Sequence, residues 1–265
     1  MEDKNYTEAN RSAWNEAASV RRRRNFNNLL QNFAKYSVSI LDETERNILR
    51  QINVSNSVVA QLCCNNGREL LAIKNMGASH CVGFDISDQF IDQARRLSQA
   101  SGIECEFVRT DVYEISSKYY NMFDIVFISA GALRWLPNLE HFFGIVAHLL
   151  KLDGILFIHE IHPIVDLFVE NDRRDPPPLQ FSYFSDEPRV GNQGLDYYGK
   201  STYISKTTYE FHHKLSEIIN LCIRHHLVVQ SFDEYPYDIS SVYAEFETIK
   251  TKLPLSYALL ARKSS

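Results

Sequence analysis

At 265 residues, 45% hydrophobic and 23% charged, the chain is long enough for one large α/β domain and has the composition of an ordinary globular protein. A net charge of −5 argues against a nucleic-acid partner, and no apolar run approaches the ~20 residues of a membrane-spanning helix. The polar start MEDKNYTEAN is not a signal peptide, and five cysteines without a CxxC pair read as reduced thiols of a cytoplasmic protein.

Residues 5–50 read as helices, because Ala9, Ala13, Trp14, Ala17 and Ala18, then Leu29, Leu30 and Phe33, recur at helical spacing. They are taken as an N-terminal helical cap spanning 1–50. The four arginines at 21–24 read as a solvated helix face, since no other basic stripe accompanies them. Beyond residue 50 the pattern alternates. Strands are expected at 58–62, 80–84, 105–108, 123–129 and 155–161, and helices at 67–75, 88–100 and 139–150. Strands alternating with helices of this length predict βαβ units and a parallel sheet. A proline-interrupted, aromatic-rich stretch over 171–212 breaks the alternation and reads as an insertion. Within it, residues 203–211 alternate like a strand. A helix at 214–225, a strand at 227–232, a helix at 240–246 and a last strand at 255–261 complete the series. The domain therefore runs over 51–265.

The first strand ends in Gln61-Leu62-Cys63-Cys64-Asn65-Asn66-Gly67, the position of a nucleotide-binding turn, yet with a single glycine. A pyrophosphate requires several glycines there so that backbone amides can approach it. A dinucleotide is thus disfavoured, and a ligand without phosphate fits better. An acid, Asp85, follows the second strand 18 residues after Gly67, close to the spacing at which a carboxylate reaches ribose hydroxyls.

With these features the sequence resembles the class I S-adenosylmethionine-dependent methyltransferases. Their first motif is an acid followed by x-Gly-x-Gly-x-Gly, on which Gln61 takes the acid's place and Cys63, Asn65 and Gly67 take the glycines. Asn65 is a sensible substitute because asparagine tolerates positive φ. The segment Gly83-Phe84-Asp85-Ile86-Ser87 resembles the end of the second strand, where the acid grips the ribose. Thr110-Asp111-Val112 resembles the adenine-edge segment, and Ser129-Ala130-Gly131 the loop beside the methionine half. Leu149-Leu150-Lys151-Leu152-Asp153-Gly154 is similar to the turn before strand five. The resemblance covers roughly 10–263 and implies S-adenosyl-L-methionine as cofactor. It also implies a doubly wound, Rossmann-like, seven-stranded, mostly parallel α/β sheet whose last strand is antiparallel. Trp14 would cover the cofactor, and Gln61 would meet its ammonium only through an amide oxygen or water.

For the acceptor, small-molecule methyltransferases that the chain resembles carry a glutamate-x-His-Pro and an aromatic-x-His-x-Leu-x-Glu-Ile pattern. These fall on Glu160, His162 and His213. His162 or His213 is the expected base, with Glu160 orienting it. His159 and His162 would point to opposite faces of a strand, which disfavours a shared metal. The insertion is expected to be a lid whose Tyr198 and Tyr203 face the methyl donor. An O- or N-methyltransferase of a small molecule, monomeric or homodimeric, leads this reading. An RNA or protein methyltransferase and a non-catalytic cofactor-binding module stand as alternatives. The Asn/Asp-Pro-Pro-Tyr/Phe signature of base amino-methyltransferases is absent after strand four.

Overall fold

The computed structural model describes residues 3–21, 26, 29–31, 33, 40–169, 174–195 and 203–265. Helices α1 (Asp3–Arg21) and α2 (Glu43–Gln51) precede the sheet. On α1 the small residues Ala13 and Ala17 are buried, so the helix approaches its neighbours closely. Helix α2 starts on a capping box, with Asp42 accepting from the Glu45 N–H and Glu45 returning a bond to the Asp42 N–H. Of the four arginines at 21–24, only the backbone of Arg21 lies within the described residues.

The sheet then builds as β1 (Val58–Leu62), α3 (Arg68–Asn75), β2 (His80–Asp85), α4 (Asp88–Ser101), β3 (Glu106–Arg109), β4 (Phe123–Ile128), α5 (Leu139–Leu149) and β5 (Leu150–Ile161). After β6 (Arg189–Gly191) and β7 (Thr208–Glu210) come α6 (Leu215–Arg224), β8 (Leu227–Tyr235) and β9 (Ser256–Lys263). Seven strands lie in the order β3-β2-β1-β4-β5-β9-β8, with β9 antiparallel to both its neighbours. The other pairings are parallel. This is the Rossmann-like sheet expected from the sequence.

The central strands are apolar on both faces because both are covered. Ala60, Leu62, Val126 and Ile128 join one core cluster, while Val59, Ile125, Phe127 and Phe157 join the other. Successive residues thus feed opposite layers, with the first layer capped by α5 and α6 and the second by α2, α3 and α4. Among the described residues no helix is long and apolar enough to cross a membrane.

Two expected elements are corrected. Residues 203–211 contribute only three to a strand, β7, because its partner β6 is equally short. Beyond it the Ser205 hydroxyl accepts the Gly194 N–H and the Tyr203 hydroxyl accepts the Leu195 N–H, which bends the chain out of the ladder. Residues 240–246 are not an α-helix. The Asp238 carboxylate accepts from the N–H groups of Ser240 and Tyr243, and this local capture leaves only a 3₁₀ turn at Ala244–Glu247.

Candidate active site

The strand order reverses between β1 and β4, and a crevice opens beyond the carboxyl ends of the strands at such a switch point. A cavity of about 520 Å³ lies there. Its floor comes from the loops that follow β1, β2, β3 and β4, and α1 contributes Thr7, Asn10 and Trp14.

The first loop is built on left-handed backbone. Cys63, Asn65 and Gly67 have φ of 55°, 51° and 71°, so all three positions matched to motif glycines adopt the conformation that glycine favours. Gly67 is also spatially required, because a Cβ there would sit 2.4 Å from the Phe107 ring. Asn65 fits for a local reason: its side-chain oxygen accepts the Asn66 N–H at 2.8 Å. Burial, then the charges of Asp85, Asp111 and Glu160, push the Cys63 thiol well up, so it stays neutral.

Asp85 ties two loops together. One carboxylate oxygen accepts the Asn65 N–H at 2.7 Å and the other the Ser87 N–H at 2.8 Å. Burial pushes its pKa up to about 6, and the bonds from Ser87 and Asn65 limit the rise. Ser87 caps α4, accepting the Phe90 N–H. Asp111 accepts the Tyr113 N–H at 3.1 Å and lines the cavity beside Val112. Ile86, Ser129, Cys63, Asn65 and Trp14 line it as well. Two sequence candidates lie behind the wall. Gln61 is buried under the loop, and Gly67 caps α3.

A carboxylate the sequence reading passed over stands in this cavity. Glu69, in the first turn of α3, accepts the Ser129 hydroxyl at 2.5 Å and a Gln61 amide hydrogen at 2.7 Å. An acid in a helix's first turn ordinarily answers the helix dipole, so nothing in the sequence marked it. The chemistry of the lining fits S-adenosylmethionine, with the Asp85, Asp111 and Glu69 carboxylates set among apolar walls such as Trp14 and Phe90, while Gln61 Oε1 is buried without a partner outside that lining.

The candidate catalytic residues are not brought to the cavity. His162 Nε2 lies 2.8 Å from Glu234 Oε1, and its Nδ1 accepts the Ile164 N–H, so the ring caps a 3₁₀ turn. His213 Nε2 bonds the Leu136 carbonyl at 2.9 Å. Glu160 accepts the Gly131 N–H at 2.8 Å, holding the loop after β4 from behind. Burial drives its pKa up to about 8, opposed by Arg134 and by the amides of residues 131–133. His213 and Glu160 border a separate space of about 30 Å³ on the far side of that loop. Each side chain satisfies a nearby backbone group, and that use turned it away from the crevice.

The lid reading needs a similar correction. None of the described residues of the insertion lines the cavity. Tyr203 packs on Gly194, and Tyr198 lies outside the described residues. The insertion instead holds α1: the Asn10 side chain both donates to the Tyr209 carbonyl and accepts the Tyr209 N–H, each at 2.8 Å. Leu195 packs against Ala13 and Ala17 beside Trp14 and Trp135. On its other side α1 reaches the β2–α4 loop, where Arg11 and Asn15 bond Asp88 and Asn15 also accepts the Ser87 hydroxyl. Away from the cavity, Asp42, Glu45 and His159 bring ligand atoms within 4.8 Å of one another, with His159 Nδ1 3.4 Å from Glu45. His159 and His162 thus face different partners.

Residues 59–154 match the family model of a methyltransferase domain. The chain is 21% identical over 262 residues to an uncharacterised Haemophilus influenzae protein, covering 94% of this chain and 98% of that one. Its fold is similar to a crystal structure of a candidate S-adenosylmethionine-dependent methyltransferase from Listeria monocytogenes, with TM-score 0.63 and 15% identity over 83% of this chain and 97% of that chain. An S-adenosylmethionine-dependent methyltransferase from Mesorhizobium loti gives TM-score 0.61 and 19% identity over 82% and 96%. Residues 59–154 thus match a methyltransferase domain, and the whole chain shares the fold of the S-adenosylmethionine-dependent methyltransferases it is similar to, with its cavity at the strand ends.

Proposed function

We propose that the enzyme transfers a methyl group from S-adenosylmethionine to an oxygen or nitrogen of a small-molecule acceptor. The observation that carries this reading is the roofed cavity. Its far wall is Trp135, Leu136, Ile161 and Val242, and α1 closes over it through Trp14. A space of about 520 Å³ under a helix suits ligands of small-molecule size. A folded RNA or a protein side chain on a domain surface would have to displace α1.

Within this reading Asp85 takes the ribose hydroxyls, Asp111 with the Val112 N–H takes the adenine edge, and the loop from Cys63 to Asn66 faces the methionine half. Residues 1–50 act as the cap and 51–265 as the catalytic domain, with the insertion at 171–212 bracing the cap. The bound cofactor supplies an already activated sulfonium methyl. The protein's work is to exclude water, align the acceptor and hold the donor. With the two expected bases, His162 and His213, and their expected partner Glu160 outside the cavity lining, acceptors that arrive deprotonated or lose a proton to water are favoured over those needing a strong enzymic base. The wall is aromatic and aliphatic, so a planar or apolar acceptor body is favoured. A cytoplasmic setting suits the five cysteines, each of them a free thiol.

The test is calorimetric titration with S-adenosylhomocysteine, followed by a panel of phenols, small amines and carboxylic acids scored for S-adenosylhomocysteine release. Turnover on a small acceptor is expected. Methylation confined to RNA or protein fractions, with no small acceptor turned over, would overturn the small-molecule reading.

A further inference from the structure

The capping box that starts α2 uses one oxygen of each of its two acids and leaves the other outside the box. Asp42 Oδ1 accepts the Glu45 N–H at 2.7 Å, and Glu45 Oε2 accepts the Asp42 N–H at 2.9 Å. The remaining oxygens, Asp42 Oδ2 and Glu45 Oε1, both face His159 Nδ1 on β5, at 3.5 and 3.4 Å. Those separations exceed the roughly 2.7–3.2 Å of an ordinary N–H···O bond. His159 is fully buried, and its Nε2 has no partner among the described residues. Apolar neighbours hold the ring instead: it stacks near Phe157 and lies at right angles to the ring of Tyr235. A buried imidazole is thus aimed at two carboxylate oxygens without closing a proper bond to either.

We propose that Asp42, Glu45 and His159 form a structural site for one zinc-like divalent cation, which pins the start of α2 to an interior strand of the sheet. Their ligand atoms all lie within 4.8 Å of one another. Tetrahedral zinc, with bonds of about 2.0–2.1 Å, spaces its ligands about 3.3–3.4 Å apart. The two distances from Nδ1 sit close to that spacing. One imidazole nitrogen with two carboxylate oxygens disfavours magnesium and calcium, which take oxygen ligands alone. Two carboxylates also balance the charge of a divalent ion. The capping box orients both of them in advance, because each is anchored by its other oxygen. The Asp42 side chain is 36% exposed, so the ion enters from that side and a water completes its fourth position. Glu45 and His159 lie 114 residues apart in the chain, so the ion closes a long loop. None of the three lines the strand-end cavity, which makes the role structural. His162 takes no part, since its Nε2 faces Glu234.

The test uses the full chain, stripped with a chelator and dialysed, with Zn²⁺ alone as the probe. Calorimetry is expected to show one saturable site per chain, and saturating zinc should raise the melting temperature by a few degrees. Glu45→Gln keeps an oxygen for the Asp42 N–H, and Asp42→Asn keeps one for the Glu45 N–H, so each removes a charged ligand and spares the capping box. His159→Phe keeps an aromatic ring against Phe157 and removes the nitrogen. Each should weaken zinc by more than the roughly 10- to 100-fold that losing a partner behind the ligands costs, and each should abolish the zinc-dependent rise in melting temperature. His80→Ala, at a half-exposed histidine, should change neither. Glu45→Gln carries the test if His159→Phe does not fold. A chain with no saturable site, or zinc binding that survives Glu45→Gln and His159→Phe, would overturn the proposal. So would a His159→Phe chain that melts lower without zinc while zinc shifts neither it nor the wild type, the behaviour of an imidazolium clasped by two acids.

Discussion

At the scale of single residues, the loop after β1 is governed by backbone conformation more than by side-chain identity. Left-handed backbone costs a residue with a Cβ roughly 1–2 kcal/mol, least for asparagine. Cys63 and Asn65 both adopt it. Asn65→Gly is therefore expected to melt near the wild type, and Asn65→Val to melt roughly 2–8 °C lower. Thermal denaturation checks both, and a valine variant melting with the wild type would remove the conformational argument. Asp85 gives a second residue-level outcome. Its pKa is pushed up to about 6 by burial, with bonds from Ser87 and Asn65 opposing. Ribose hydroxyls donating to it would favour the ionised form, so cofactor binding near pH 5.5 should release a proton. Calorimetry in two buffers of different ionisation heat measures that release, and Asp85→Asn should abolish it. A binding heat independent of buffer in the wild type would mean that no hydroxyl meets Asp85.

At the scale of elements, the sheet and its loops were legible because each strand carries its own apolar run and each loop its own turn chemistry. Asp85 was picked out by its spacing, and Asn65 by the motif resemblance together with asparagine's tolerance of positive φ, the conformation it adopts. The roles of the insertion and of the histidines were not legible, because they depend on which backbone groups fall nearby. Tyr209 meets α1 through its own N–H and carbonyl, which leave no trace in side-chain pattern. His162 reads as a base from sequence, yet it is spent on the Ile164 N–H and on Glu234. The insertion's structural role is correspondingly testable. Asn10→Ala would leave both Tyr209 groups without this partner, at about 1–3 kcal/mol for each one kept from water. Amide exchange in α1 is expected to speed up and cofactor affinity to fall, with the sheet's protection unchanged. Unaltered exchange in α1 would show that the Asn10–Tyr209 pair does not hold the helix.

At the scale of the whole molecule, buried acids of opposite tendency set the pH at which the ligand-free fold is most stable. Glu160 is raised from 4.5 to about 8 by burial, against the pull of Arg134 and the loop amides. Its folded form keeps a proton that the unfolded chain sheds above 4.5. Its stabilising share is therefore complete below 4.5, declines between, and is lost above about 8. Asp85 acts the same way over 3.8 to about 6. Asp166 acts in reverse. Burial would raise it, but Arg134 and His212 outweigh that and hold it below 3.8, so its share is present above 3.8 and lost as pH falls below. Ligand-free stability should thus be greatest at mildly acidic pH and decline toward pH 8. Glu160→Gln keeps an oxygen to accept the Gly131 N–H and cannot ionise, so its melting temperature should drop less between pH 5 and pH 8 than the wild type's. Equal drops would exclude Glu160 as the source of the upper limb.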